Sequence, residues 1–360
     1  MPILNVIIDT SPLHDGNSHR GVGIYTRLLS EFLGKQPDLQ VFELKESTQL
    51  GGVQKKVSAD QPTVLHYPYF DFFFSTLPFR RPYPTVVTIH DVIPLQFPKE
   101  YKPGVKGRLR FYRQKAALRS VKAVITDSEA SAVELRRRMH VAEDKIHVVP
   151  LAAAPEFEKP TSSQLQNTQQ HFNLPENYVL YVGDINYNKN IPQLVKMMKF
   201  LPEEIHLVCM GRNFQAHEIP EWQAIERQVA LSDVTARVHF ISDIAGKEYE
   251  TLSALYHGAI AYVQPSLAEG FGLPILEAMK CEVPVVASDI PVLREVAGEY
   301  ALFALPIAEE LAVQVKEVFS WSSQKRGRWV KAGLNWTKQF TWKKTAEKTR
   351  QVYEAVCQQK

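Results

Sequence analysis

At 360 residues the chain is longer than one ordinary domain and suits two of roughly 150–200 residues. Its 45% hydrophobic and 22% charged residues are those of a soluble globular protein. Three scattered cysteines (Cys209, Cys281, Cys357) with no Cys-x-x-Cys argue against a disulfide framework or a zinc site and fit a reducing cytosol. Net charge is only +3, but residues 1–150 carry 21 Lys and Arg against 15 Asp and Glu, and the remainder carries 21 against 24. No nucleic-acid partner is expected from such a balance.

The start, Met1 to Asp9, lacks a basic n-region and a long apolar run, so it reads as a first strand and not as a signal peptide. No segment reaches the ~18 apolar residues needed to span a bilayer. Short β-branched runs alternate with amphipathic stretches, the pattern of parallel sheets with crossover helices. The first half offers strands at Leu4–Ile8, Gln40–Leu44, Thr63–His66, Thr85–Ile89, Ala123–Thr126 and Ile146–Val149. The second offers Val179–Val182, Ile205–Met210, Val238–Ile241, Ile260–Val263, Val285–Ala287 and Ala301–Phe303. Two sets of six predict two doubly wound lobes, at 1–155 and 173–340. The stretch 156–172, rich in Glu, Pro, Ser, Thr and Gln, reads as a linker, and 341–360 as a terminal helix with Ala346, Tyr353 and Val356 on its apolar side.

In chain order the candidate functional groups begin with Gly21 and Gly23, between a strand and a helix, where a backbone can approach a ligand closely. His90-Asp91 stands at the C-terminal end of a strand, where open α/β sheets bind ligands. Asp91 is read either as orienting the imidazole or as capping the next turn. Asp127 or Ser128 suits a helix N-cap. From Tyr101 to Lys122 there are eight cations and no anion, with Leu109, Tyr112, Ala116 and Val121 as an apolar side, just after the aromatic run Tyr67 to Phe74. That pairing suits an anionic lipid surface, or equally a solvated helix beside a packed aromatic cluster. Gly183 to Lys189 follows the first strand of the second lobe.

The most informative block is Glu269-Gly270-Phe271-Gly272-Leu273-Pro274-Ile275-Leu276-Glu277. An apolar strand leads into a glycine turn and a helix start, with Pro274 at a first helical position. Helix N-terminal N–H groups hold anions. Glu269 lies on the turn and Glu277 within about the first turn of the helix, so phosphate can meet amides while carboxylates take sugar hydroxyls. There is no Asp-x-Asp and no His-x-x-x-His, so a protein-held catalytic metal is not expected.

This block resembles the Glu-x7-Glu signature of the family 4 retaining glycosyltransferases, and the resemblance runs the length of the chain. It implies the GT-B fold, with two Rossmann-like lobes whose parallel sheets face a central cleft. The terminal helix would cross back onto the first lobe. The implied donor is a nucleoside-diphosphate sugar, GDP- or UDP-linked. The implied catalytic residues are His90, Lys189 and Glu269. The implied donor contacts are Gly21, Gly23, Gly183, Lys189, Arg212, Ser242, Ile244, Glu269, Gly270, Phe271, Gly272, Leu273 and Glu277. Family members often carry a second cation after the glycine or before the lysine; here those positions are Asp184 and Asn188, and Arg212 is the substitute considered. The implied reaction moves a hexose, mannose-like, to a glycan or lipid-linked acceptor, in a cytoplasmic enzyme peripheral to the membrane. A 2-epimerase-like enzyme and a non-catalytic binding subunit are the alternatives.

Overall fold

The computed structural model describes residues 3–14, 16, 18, 21–46, 50–58, 60–215, 218–242 and 248–358. These divide into two compact units, 152–339 and 1–151 with 340–360.

The first unit holds β1 (Leu4–Asp9), β2 (Leu39–Leu44), β3 (Thr63–Tyr67), β4 (Thr85–Thr88), β5 (Ala123–Thr126) and β6 (Ile146–Val148) in the order β2-β1-β3-β4-β5-β6. Every pairing is parallel. Both faces are covered, which explains why Val6, Ile7 and Ile8 are all fully buried where an exposed sheet would alternate. The chain runs outward from β1 through β2, then restarts at β3 in the other direction, so the strand order reverses between β1 and β3.

The second unit holds β7 (Tyr178–Val182), β8 (His206–Met210), β9 (Val238–Ile241), β10 (Ala261–Gln264), β11 (Val285–Ser288) and β12 (Ala301–Ala304) in the order β12-β11-β10-β7-β8-β9, again all parallel. Here the order reverses between β7 and β10. In open parallel sheets ligands collect outside the carboxyl ends of the strands at such a reversal, because the two connections diverge there and leave a crevice.

One segment departs from the sequence reading, and two others take their detail from the structure. The expected linker contains a helix, Ser162–His171, packed in the second unit against the helix Glu248–Gly258. It starts on a capping box, Thr161 with Gln164, which a polar composition conceals. The helix Gly104–Leu118 turns Leu109, Tyr112 and Ala116 to solvent, while Val121, the fourth residue of the expected apolar side, is buried beyond its end. Its inner side is Gly107, half-buried Phe111, Gln114 and Leu118. Gln114 belongs inside because its amide accepts from Leu77 N at 2.9 Å and donates to Leu77 O at 3.1 Å, satisfying a loop backbone. Of the aromatic run, Tyr67, Phe70 and Phe72 are core, Phe73 is half-buried and Phe74 is exposed.

The terminal helix Trp342–Gln358 buries Trp342, Ala346, Tyr353 and Val356 in the first unit. Tyr353 Oη meets His66 Nδ1 at 2.6 Å, and His66 Nε2 meets Thr88 Oγ1 at 2.9 Å. Burial, then the nearby His90 charge, lowers the His66 pKa to about 3, so this histidine is a neutral fastener between helix and sheet.

Candidate active site

The site in the second unit is built at the reversal between β7 and β10. After β7, Gly183 has φ +154°, and Gly183 N donates to Met210 O at 2.9 Å. A Cβ on Gly211, after β8, would lie 2.0 Å from Gly183 O. Only glycine lets these two strand ends close together. The chain then makes a 3-10 turn, Tyr187–Lys189, that is fastened to the turn after β10 at several points. Asn188 Nδ2 donates to Ala268 O at 2.9 Å, and Leu267 N donates to Asn188 O at 2.7 Å. Asn190 Nδ2 donates to Pro265 O and Pro306 O at 3.0 and 2.9 Å. Asn188 is therefore a buried clamp between two loops, and an arginine there would have no room in this packing.

This clamp brings Lys189 and Glu269 together. Lys189 Nζ lies 2.8 Å from both carboxylate oxygens, with side chains 21% and 8% exposed. Glu269 Oε1 also accepts from Gln264 Nε2 at 2.8 Å and Ser266 Oγ at 2.6 Å. Three donors hold one carboxylate, so its rotamer is set before any ligand arrives. The sequence reading gave Lys189 and Glu269 separate tasks; in the structure each is the other's partner.

Gly272, at φ +97°, caps the helix Leu273–Lys280 with no side-chain cap, and Pro274 follows in its first turn. A Cβ at Gly272 would reach within 2.8 Å of Leu293 Cδ2. Phe271 packs inward. Glu277 is the fifth residue of this helix, just past the first turn in which the sequence placed it. Tyr256 Oη donates to Glu277 Oε2 at 2.9 Å. Burial pushes the Glu277 carboxyl up to about 7, against the opposing effects of the Tyr256 hydrogen bond and the Lys280 charge.

In the first unit, His90 follows β4. Its Nδ1 is 2.8 Å from Asp127 Oδ2, its Nε2 is 3.2 Å from Pro68 O, and the Tyr25 ring meets it edge-on at 4.7 Å. A carboxylate on one side and a carbonyl on the other are both acceptors, an arrangement an imidazolium satisfies, while burial raises the Asp127 pKa against the opposing charge and hydrogen bond of His90. Burial alone would push the His90 pKa down, but the charge and hydrogen bond of Asp127, with Asp91 and the Pro68 carbonyl, carry it above its ordinary value. The orienting carboxylate is Asp127, not Asp91, whose Oδ1 instead accepts from Ile93 N at 2.8 Å. The N-cap beside it is Ser128, accepting from Ser131 N at 3.1 Å. The register Thr88↔Ile125 carries two residues further to place 90 opposite 127, a pairing readable only once strand order is known.

The other expected residues are more scattered. Gly21 and Gly23 belong to the first turn of the helix Gly21–Gly34 and not to a loop. A Cβ on Gly21 would meet nothing within 4 Å. Arg212 is exposed in the turn after β8, next to β7 in the sheet, and Ser242 is half-buried after β9. Ile244 lies outside the described residues. Among the described residues no three His, Cys, Asp or Glu side chains gather as a metal site. Sequence reasoning missed Tyr256, Gln264 and Ser266, since nothing local marks a tyrosine, glutamine or serine as a carboxylate's partner.

The family model for glycosyl transferases group 1 matches residues 163–336, and that for glycosyltransferase family 4 matches residues 20–157. An O-antigen chain mannosyltransferase B of Escherichia coli is 31% identical over 281 residues, covering 75% of this chain and 70% of that protein. A serotype-specific mannosyltransferase WbdA of Escherichia coli is 28% identical over 229 residues, and the match spans only 27% of its length. Among solved structures, the Anabaena protein HepE in complex with UDP-glucose superposes with TM-score 0.73 at 15% identity, over 98% of this chain and 99% of that one. Sucrose-phosphate synthase from Thermosynechococcus elongatus does so with TM-score 0.72 at 22% identity, over 98% and 99%. At those identities the structural likeness carries the fold, and the sequence relatives carry the family. The chain belongs to the family 4 glycosyltransferases, enzymes of the GT-B fold.

Proposed function

We propose that this glycosyltransferase moves a mannose-like hexose from a nucleoside-diphosphate sugar to a glycan or lipid-linked acceptor, with retention and without a protein-held metal. The observation that carries the reading is the meeting of Lys189 and Glu269 at the strand-order reversal, beside a helix start that has no side-chain cap. Lys189 and the main chain from Gly270 to Leu273 hold the diphosphate, with Arg212 as a further cation at the neighbouring strand end. Glu269 takes a donor-sugar hydroxyl and Glu277 the ribose hydroxyls. To His90, held by Asp127, we assign contact with the transferred sugar or acceptor. The sugar C1–phosphate oxygen bond breaks as the acceptor oxygen bonds C1 on the same face, and the acceptor proton passes to the departing phosphate. Electrostatic stabilisation of that leaving charge is the protein's main contribution.

The relatives named as O-antigen mannosyltransferases favour a GDP-mannose-type donor, while the neighbour solved with UDP-glucose keeps UDP in view. A melting-temperature screen of GDP- and UDP-sugars tests this, since a donor at ~100 times its dissociation constant adds about 2.7 kcal/mol. Stabilisation by GDP-mannose, with GDP released on adding an envelope glycan acceptor and an α-linked product by NMR, supports the reading. Stabilisation by no nucleotide sugar, or an inverted product, overturns it.

For the acceptor, the outward face of the helix Gly104–Leu118 favours an anionic membrane surface. Val105, Leu109 and Tyr112 are 86%, 63% and 68% exposed, and Phe74 beside them 62%. The Arg110 guanidinium sits over the Phe74 ring at 5.6 Å. Lys106, Arg108 and Arg113 are exposed on the same helix, which carries no acidic residue. Each cation near anionic lipid adds about 1 kcal/mol, and the apolar side chains enter the headgroup boundary. No described helix is long and apolar enough to cross a membrane. Vesicle co-sedimentation decides it: binding should need anionic lipid, fall with salt and drop in Arg108→Glu/Arg113→Glu/Lys115→Glu. Equal pelleting with neutral and anionic vesicles, or none with either, removes the membrane and leaves a soluble glycan acceptor.

A further inference from the structure

Beneath the two glutamates lies a pair of buried tyrosines. Tyr256, on the helix Glu248–Gly258, and Tyr262, in β10, are both fully buried, with ring centroids 5.5 Å apart and edges packed on faces. A phenol hydroxyl without a partner is costly in such an interior. Tyr256 directs its hydroxyl to Glu277 Oε2 at 2.9 Å. Tyr262 directs its own to Gln264 Oε1 at 3.1 Å, and Gln264 Nε2 passes the contact on to Glu269 Oε1 at 2.8 Å. Gln264 is itself 1% exposed, and its main-chain oxygen accepts from Ser288 Oγ at 3.3 Å. One packed aromatic pair thus supports both carboxylates of the donor site.

We propose that Tyr256 is the positioning residue for Glu277 and that the Tyr262–Gln264 pair is the positioning unit for Glu269. This rests on the reading that Glu277 takes the ribose and Glu269 the donor sugar. None of the three touches substrate; each acts through a carboxylate.

The chemistry gives Tyr256 a distinct signature. A carboxylate accepts two ribose hydroxyls only when ionised, since its protonated form gives up acceptor capacity. Burial works against ionisation of Glu277, and the Tyr256 hydrogen bond works for it, aided by Lys280 on the same helix. Lys280 itself donates to Ala154 O at 2.9 Å and lies near Glu156 and Glu158. Among the described residues the other titratable groups facing Glu277 are Tyr262 and the Cys281 thiol, both neutral because burial raises their pKa values. Removing the Tyr256 hydroxyl leaves Glu277 buried with less to hold its charge.

The test is calorimetric binding of GDP or UDP, whichever raises the melting temperature more, from pH 5.5 to 9. Wild-type affinity should rise with pH through a midpoint near 7. Tyr256→Phe should move that midpoint up by about one pH unit, lowering affinity about fivefold at pH 7 and restoring it at pH 9. Glu277→Gln should bind weakly at every pH. If Glu277→Gln binds like wild type, the ribose role of Glu277 is wrong. If Glu277→Gln is weak but Tyr256→Phe keeps the wild-type midpoint, or loses affinity equally at all pH values, the positioning role is overturned and only packing remains. For Glu269, Gln264→Leu should lower kcat for release of nucleoside diphosphate from the nucleotide sugar at least tenfold, with GDP or UDP affinity unchanged. Wild-type kcat in that variant overturns this half.

Discussion

Lys189→Ala removes the cation that the structure places against the motif carboxylate. Its ammonium contacts both oxygens of Glu269 at 2.8 Å and its side chain is 21% exposed, so in the free enzyme it is held in place without being sealed off from an arriving phosphate. A charge-assisted hydrogen bond contributes about 1.5–3 kcal/mol, equivalent to a loss of roughly ten- to 150-fold in affinity. The lower end is expected here, because Lys189 leaves or shares an existing partner when it takes the diphosphate. The variant should still fold, since Glu269 keeps its hydrogen bonds from Gln264 and Ser266. Calorimetric titration with GDP and UDP, beside Lys189→Arg, Arg212→Ala and the Lys189→Ala/Arg212→Ala double variant, reads the effect. Lys189→Arg should retain most of the affinity, and the double variant should exceed the sum of the singles if Arg212 compensates. Nucleotide affinity within twofold of wild type in both Lys189→Ala and the double variant would refute the assignment of the diphosphate to this strand end.

Other outcomes follow from individual contacts. Asp127→Asn removes the charge that carries His90 above its ordinary pKa, so the imidazole midpoint followed by NMR should fall below that of wild type; an unchanged midpoint would show that Asp127 does not govern His90. Glu277→Gln should stabilise the unliganded protein at pH 8 and lose that advantage by pH 5. Folding lifts the Glu277 pKa from 4.5 to about 7, so the native state binds more protons between those values and wild-type stability declines as pH rises through them. Melting curves at both pH values check it, and equal shifts at both would contradict it. Gly211→Ala should cost at least ~3 kcal/mol because its Cβ would sit 2.0 Å from Gly183 O, whereas Gly21→Ala, with nothing within 4 Å, should be near neutral in urea titration.

The strands were legible because parallel sheets covered on both faces leave continuous apolar runs, and each of the twelve lies within a residue or two of where Val, Ile and Leu cluster. The block from Glu269 to Glu277 was legible because its parts are neighbours in sequence. What escaped was relational. Asp127 looked like a helix cap until β5 proved to lie beside β4, which turned it towards His90. Asn188 looked like a missing cation until its side chain was seen to hold the Ala268 carbonyl. The helix Gly104–Leu118 reads as amphipathic, but which side faces out was not legible, because it is Gln114 that is needed inside to satisfy the backbone of Thr76 and Leu77. Ser162–His171 has too few apolar residues to show a periodic face, and its Thr161 cap was the only local sign of a helix.

The most direct measurement of the central claim compares free nucleotide and donor sugar in the two glutamate variants. With Glu277→Ala, the dissociation constants for the nucleoside diphosphate and for its sugar derivative should rise together, because the ribose is common to both. With Glu269→Ala, nucleoside-diphosphate affinity should stay within twofold of wild type while turnover of the nucleotide sugar collapses, because its partner is the sugar. Normal nucleotide binding and normal turnover in both variants would contradict the account.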